Sequence, residues 1–344
     1  MMKKKIFALL LALVMLLGLA ACGGGGNNNA PSGGNNGSAG GDTGGSPSGG
    51  SSGAELTFTT GSDQGTYYSF GSVLAGQISD RTSTAVTAIV GKGSKANIEA
   101  MDVGDAQLGF VQSDVMAYAY DGTNLFAEDG KVDSFSTVAA LYMEQVQIIT
   151  LDPSIKTVAD LAGKSVSVGE SGSGVFFNAV DVLGAYDLTL DDITPTYQSF
   201  GDSAEALQDG KIDAAFIVSG APTTAVVSLA TNRDVYVVEL DDEHIEKLIA
   251  ASPYYSKNVI PAAAYGLEHD ATTVAVGAVI IARDDVGDDA VYDVVSGIFD
   301  SIDTLGHDKK SELSLDFAAS VTAVPYHPGA AKYFSEKGFD VPSK

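Results

Sequence analysis

The sequence predicts an α/β protein of two similar lobes joined by two crossing strands, and three observations carry that prediction. Two units of strand, glycine loop and helix stand far apart in the chain. Helix and strand patterns then recur after each loop in the same order. Two long apolar runs, around 138–150 and 272–281, lie where a chain would pass between lobes.

The first unit opens with the strand-like Leu56 to Thr60, then Gly61-Ser-Asp-Gln-Gly65-Thr66-Tyr67-Tyr68. Phe70, Val73, Leu74 and Ile78 follow at the spacing of an amphipathic helix. The second unit is Ser165-Val-Ser-Val-Gly169, then Glu170, Ser171, Gly172, Ser173 and Gly174, then Val175, Phe176 and Phe177. Its alternating valines break into glycines and resume as an apolar helix start. Gly65-Thr-Tyr-Tyr68 aligns with Gly174-Val-Phe-Phe177. Glycines at such a turn let backbone N–H groups converge, and the helix that begins there adds unpaired N–H groups and the positive end of its dipole. An anion, phosphate or carboxylate, suits both loops.

Downstream, Ala85 to Val90 reads as a strand ending at Gly91, and Thr196 to Phe200 as a strand ending at Gly201. Glu99-Ala-Met101-x-x-Gly104 then leads into Phe110-Val-Gln-Ser113, as Glu205-Ala-Leu207-x-x-Gly210 leads into Phe216-Ile-Val-Ser219. The offset is 106 residues here (Glu99 to Glu205) and 109 at the loops (Gly65 to Gly174), which indicates two copies of one α/β unit. Gln112, Ser113 and Asp114 follow a buried strand, where open α/β sheets place their ligands; Ser113 or Asp114 equally suits a helix N-cap. Asp288 to Leu305 has helical spacing, and Pro325 to Gly329 opens a last helix.

The chain begins with Lys3, Lys4 and Lys5, then an uncharged run from Ile6 to Leu19, the layout of a secretory signal peptide over 1–21. Leu19-Ala20-Ala21-Cys22 resembles the bacterial lipobox, so Cys22, the only cysteine, is the expected lipidation site. Residues 22–53, rich in Gly, Asn and Ser, predict a flexible tether with a reach of roughly 30 Å. The folded part is expected over 54–344, the first lobe from about 54–145 plus 260–344 and the second from about 146–259. The location is extracytoplasmic, anchored by lipid to the outer face of the cell membrane.

The 344 residues carry a formal charge of −25, and −28 once the three signal lysines are removed. Such a balance repels nucleic acid and anionic lipid. No Gly-Lys-Ser/Thr follows the second loop, and Ser173 stands where a nucleophile elbow needs its last glycine, which removes Walker and hydrolase readings of it. His244, His269, His307 and His327 form no metal-ligand pair, and the H-x-E of His244 to Glu246 lacks its cysteine partners. Most of these histidines are expected at the surface or as caps. Asp284, Asp285, Asp288 and Asp289 lack EF-hand spacing. No metal, no cofactor and no enzymatic activity are expected; the alternative is an exported hydrolase of a small anionic substrate.

Gly65-Thr-Tyr-Tyr68, Gly109-Phe-Val-Gln-Ser-Asp114, Leu161 to Gly169, Gly172-Ser-Gly174, Asp209-Gly-Lys-Ile-Asp213, Gly220-Ala-Pro222, Pro253-Tyr-Tyr255 and His327-Pro-Gly329 occur in this order across Ala54 to Phe339. Together they resemble the TAXI family, the solute-binding subunits of one class of TRAP transporters. The resemblance implies a two-lobed periplasmic-binding-protein fold of type II with two hinge-crossing strands, a ligand closed between the lobes, and delivery to a TRAP membrane permease. It also implies glutamate, glutamine or a small dicarboxylate as ligand. Carried over by position, the first lobe contributes Gly65, Thr66, Tyr67, Tyr68, Gln112, Ser113 and Asp114. The second contributes Ser171, Gly172, Ser173, Gly174 and Val175, with Ala221 and Pro222 near the rim. Family members often have Thr where this chain has Val175 and Pro where it has Ser69. Asp114 is the candidate partner for a ligand ammonium group.

Overall fold

The computed structural model describes residues 53–344. The expected signal peptide, Cys22 and the tether as far as residue 52 lie outside the described residues. In chain order the first unit comprises β1 (Glu55–Thr59), α1 (Thr66–Arg81), β2 (Ala85–Ile89), α2 (Ser94–Asp102), β3 (Leu108–Gln112) and α3 (Ser113–Asp121). The long β4 (Phe135–Thr150) leaves it for β5 (Ser165–Ser167), α4 (Gly174–Ala185), β6 (Thr194–Thr196), α5 (Phe200–Gln208), β7 (Ala214–Ser219), α6 (Thr224–Ala230), β8 (Tyr236–Val237), α7 (Asp242–Ala251) and β9 (Ser256–Ile260). A second long strand, β10 (Ala271–Arg283), returns to α8 (Asp288–Phe299), α9 (Leu315–Ala318) and α10 (Pro328–Glu336).

The main path of the sheet runs β2-β1-β3-β10-β4-β7-β5-β6. Read from either end the order is the same, with β10 matching β4, β3 matching β7, β1 matching β5 and β2 matching β6. The internal echo in the sequence is therefore a repeat in the sheet, arranged about the antiparallel pair β4 and β10. Within each copy the outer strands are parallel, β1 to β2 and β3, and β5 to β6 and β7. Connections through helices put those helices on the sheet faces, so the strands are covered on both sides. All of β4 but the half-buried Met143 is buried, which explains its nearly unbroken apolar sequence.

Both crossings follow from pairing. The β4 segment from Gln145 to Thr150 pairs with β7 of the second lobe, while the part before it pairs with β10. Ala271 to Ala275 of β10 pairs with β9, and Ala278 to Ala282 with β3 of the first lobe. Ile260, Tyr265 and Ala271 pack with Ile149 and Ile217 of the second lobe. The return thus falls inside β10, later than the expected boundary near 260. Two other elements differ from expectation. The strand expected over 196–200 stops at Thr196, because Ser199 caps α5 by accepting from Asp202 N. The helix expected over 288–305 ends at Phe299, and a short 3-10 turn, Ile302–Thr304, follows.

Candidate ligand-binding site

Both glycine loops end as expected at helix N-termini facing one interlobe cavity of about 40 Å³. In the first loop, Gly65 is the N-cap of α1 without a side-chain cap bond, and Thr66 N donates to Ser219 Oγ at 3.2 Å. In the second, Gly169 and Gly172 have φ of 82° and 86°, values that disfavour other residues. Ser173 then caps α4 through Phe176 N. That bond satisfies only one of the first four N–H groups of a helix, leaving those of Gly174 and Val175 at the cavity wall.

The lobes touch directly around this cavity, and the conformation is closed. Ser219 Oγ donates to Thr66 Oγ1 at 3.0 Å, and Thr66 Oγ1 donates to the Gly220 carbonyl at 3.0 Å. Ala96 N donates to the Gly172 carbonyl at 2.9 Å. Gln112 Nε2 donates to Asn178 Oδ1 at 2.9 Å, and Lys309 Nζ to the Ala221 carbonyl at 3.0 Å.

Of the residues expected at the site, Gly65, Thr66, Tyr67, Gln112, Ser173, Gly174 and Val175 line the cavity. The other expected residues do not. Tyr68 is half-buried outside the lining and Ser171 is exposed. Gly172 holds the lobe contact with Ala96. Ser113 Oγ accepts from Gly277 N of β10 and so ties α3 to a crossing strand. Ala221 contacts the Gln145 side chain through its N–H, and Pro222 beside it is exposed. Asp114 is fully buried but reaches no cavity surface: its Oδ2 accepts from Asn178 Nδ2 at 2.9 Å. Burial, and then the charge of Asp181, push the Asp114 carboxyl up to about 7.

Two carboxyl groups line the cavity, Glu170 of the second loop and the more deeply buried Glu144, at the centre of β4. Alternation along the strand sends Gln145 and Gln147 to the other face. There Gln145 Oε1 accepts from Ala221 N, and Gln147 Nε2 donates to the Ser219 carbonyl and Thr223 Oγ1. These three bonds fix the loop after β7, while Glu144 is left facing the ligand space. It is only 2% exposed, and its Oε2 has no partner. Burial pushes its carboxyl up to about 8; Asp114 adds to this, and the nearby Tyr67 hydroxyl and Lys309 oppose it. Tyr67 Oη lies close enough to influence that proton but lacks a well-formed hydrogen bond, and burial pushes its own hydroxyl well up.

Sequence reasoning missed Glu144, as well as Ser62, Ser94, Glu170, Gln198, Ser199, Phe200 and Ser219 of the lining. One signal was available: Glu144 is the only charged residue in the run from Val138 to Thr150. Of the two lysines that follow β2, Lys92 lines the cavity, while Lys95 is engaged by Glu99 and Asp129. The histidines fall where expected: His307 and His327 cap helical turns, and His244 pairs with Asp241. No cluster of metal-ligating side chains occurs among the described residues.

Two repeated α/β lobes, two crossing strands and a cavity between paired helix N-termini define the two-lobed periplasmic-binding-protein fold. The chain belongs to the NMT1-like family, which matches residues 58–338. It is similar in fold to a structure from Bordetella bronchiseptica RB50 at 16% identity, covering 82% of each chain with a TM-score of 0.51. The alkanesulfonate-binding protein SsuA from Xanthomonas axonopodis pv. citri, bound to MOPS, matches at 16% identity over 83% of each chain with a TM-score of 0.48. A putative L-cystine ABC transporter from Listeria monocytogenes matches at 15% identity over 77% of this chain and 98% of that one, with a TM-score of 0.46.

Proposed function

We propose that this protein is the extracytoplasmic solute-binding lipoprotein of a TAXI-class TRAP transporter. It captures a small carboxylate such as glutamate by lobe closure and delivers it to the membrane permease. One observation carries the reading: the N-termini of α1 and α4, one from each lobe, face the same cavity, and Gly174 and Val175 offer it unpaired N–H groups. Helix N-termini favour anions by both hydrogen bonding and dipole. A ligand held from both sides stabilises the closed form by its differential affinity for it. The lipid on Cys22 and the tether keep the folded part beside the membrane and its permease.

The ligand is tested by thermal shift of the purified protein against amino acids, dicarboxylates and alkanesulfonates. A ligand at about 100 times its dissociation constant stabilises by about 2.7 kcal/mol, a clear shift. Absence of any shift, together with turnover of a panel member, would replace this reading by a hydrolase. Three cavity serines have structural partners: Ser173 caps α4, Ser94 Oγ accepts from Gln112 N, and Ser219 bonds to Thr66. None of the four histidines lies in the cavity lining to act as their base.

A further inference from the structure

Seven buried side-chain polar atoms lack a partner among the described residues, and four of them line one cavity: Ser62 Oγ, Tyr67 Oη, Gln112 Oε1 and Glu144 Oε2. Buried polar groups without partners are costly, so a cluster around one space marks the contacts a ligand supplies. Which sign of partner they require follows from the hydrogen bonds behind them.

The orientation of Gln112 is set from below. Asn178 Nδ2 donates to Asp114 Oδ2 at 2.9 Å, and the Tyr255 hydroxyl, whose own proton goes to Asp181, requires the same amide nitrogen. Asn178 Nδ2 also donates to Tyr255 Oη at 2.7 Å, and Tyr255 in turn donates to Asp181 Oδ2 at 3.0 Å. Asn178 Oδ1 is therefore left for Gln112, which presents its Nε2 at 2.9 Å. The remaining atom, Gln112 Oε1, is a carbonyl acceptor turned to the start of α4. A Cβ added at Gly174 would lie 1.9 Å from it, so it stands hard against the loop that offers N–H groups.

Glu144 adds a carboxylate to this oxygen. Gln112 Oε1 can only accept and offers a second ligand carboxylate no donor, whereas beside an ammonium group Glu144 ionises, and the two acceptors, with the Tyr67 hydroxyl in the same lining, match its three donors. Near a cation, Glu144 regains the charge that burial suppresses, and its orphaned oxygen gains a partner.

We infer that Glu144, Gln112 Oε1 and the Tyr67 hydroxyl form a seat for a primary ammonium group, so that the captured carboxylate is an α-amino acid and not a dicarboxylate. This rests on the carboxylate-capture reading and divides its candidate ligands. In that arrangement the N–H groups of Gly174 and Val175 hold the α-carboxylate while the ammonium sits toward β4. Asp114 acts behind the seat, as a positioning residue that fixes Asn178 and through it Gln112.

The test is isothermal titration of the mature protein with L-glutamate, L-glutamine and L-leucine, each against its deaminated counterpart: glutarate, 4-carbamoylbutanoate and 4-methylpentanoate. The expected result is that at least one amino acid binds and that its counterpart binds at least about 100-fold more weakly. Glu144→Gln is expected to remove most of that difference, weakening the amino acid by about 30-fold or more while changing the counterpart by less than about threefold. A counterpart that binds as tightly as its amino acid overturns the ammonium seat and leaves carboxylate capture standing. No binding by any of the six compounds counts against both. The comparison in the unaltered protein holds even where Glu144→Gln does not fold.

Discussion

Lys309 reaches across the lobe boundary to donate to the Ala221 carbonyl at 3.0 Å. It comes from the short turn Asp308–Glu312 before α9, is 5% exposed, and holds Glu312 at 2.5 Å. Its Nζ also stands 5.4 Å from the centre of the Tyr142 ring, on β4. Of these partners only the Ala221 carbonyl belongs to the second lobe, so that bond exists only when the lobes are together and acts as a latch on the closed form. Lys309→Met removes the charge-assisted bond and leaves Glu312 without its cation. The expected outcome is a loss of about 1.5–3 kcal/mol of closed-state stability, seen as weaker ligand binding. Small-angle scattering of the liganded variant should give a larger radius of gyration than wild type; identical curves and unchanged affinity would remove the latch.

Gly174 has to be a glycine for the lobes to meet. Its added Cβ would meet Gln112 Oε1 at 1.9 Å and Ser94 Oγ at 2.7 Å, both from the first lobe. That clash is across the lobe boundary and not within α4, so an open form avoids it. Gly174→Val is expected to abolish ligand binding while changing the unfolding free energy by less than about 1 kcal/mol. Wild-type affinity in this variant would show that the start of α4 lies away from the ligand.

The contrast between Gly174 and Glu144 shows what the sequence could reveal. Gly174 was legible because a glycine loop between strand and helix has a local cause, and the matching loop at Gly65 gave it a counterpart. The two-lobed sheet was legible for the same reason: its repeat is written twice, and its crossing strands are long and apolar. Glu144 was hidden because its meaning depends on which face of β4 meets the cavity, and alternation alone does not say which neighbour covers each face. Asp114 misled in the opposite direction. It stands at a strand end where ligands are expected, but Asn178 of the other lobe closes over it. The end of β6 was missed because Ser199 makes a cap out of residues with strand composition.

Burial raises four carboxyls, Asp114, Glu144, Glu170 and Asp181, and the first two, both fully buried, set a pH dependence. Asp114 is up to about 7 and Glu144 up to about 8 in the folded chain, both above their unfolded values near 4. The folded state therefore binds protons more tightly than the unfolded one, and the resulting stabilisation, complete at low pH, is lost as pH rises through the folded values. His307 and His327, whose values are lowered by burial, act with the opposite sign below about pH 6.5, so the informative window lies above it. Between pH 6.5 and 8.5 the melting temperature of the ligand-free protein should fall, each carboxyl contributing at most about 1.4 kcal/mol per pH unit. Asp114→Asn and Glu144→Gln should each flatten that slope. A rising melting temperature, or a slope neither variant alters, would contradict the assignment.

Asn97 of α2 supplies the rigid floor on which the first loop rests. It is 1% exposed, and its Nδ2 donates to the carbonyls of Thr60 and Phe110 at 2.6 and 2.7 Å. Its Oδ1 accepts from Thr59 Oγ1 at 2.9 Å. One amide thus joins the end of β1 to the middle of β3 just before the chain turns into Gly61 to Gly65. Asn97→Ala leaves two carbonyls and a hydroxyl buried without partners, in a site too closely packed for the backbone to turn them outward. The expected cost is about 2–4 kcal/mol of unfolding free energy by urea titration. Asn97→Asp should cost at least as much, because its carboxylate offers the same two carbonyls an acceptor. A change below about 0.5 kcal/mol in either variant would mean that water reaches these carbonyls and that the floor is looser than its geometry indicates.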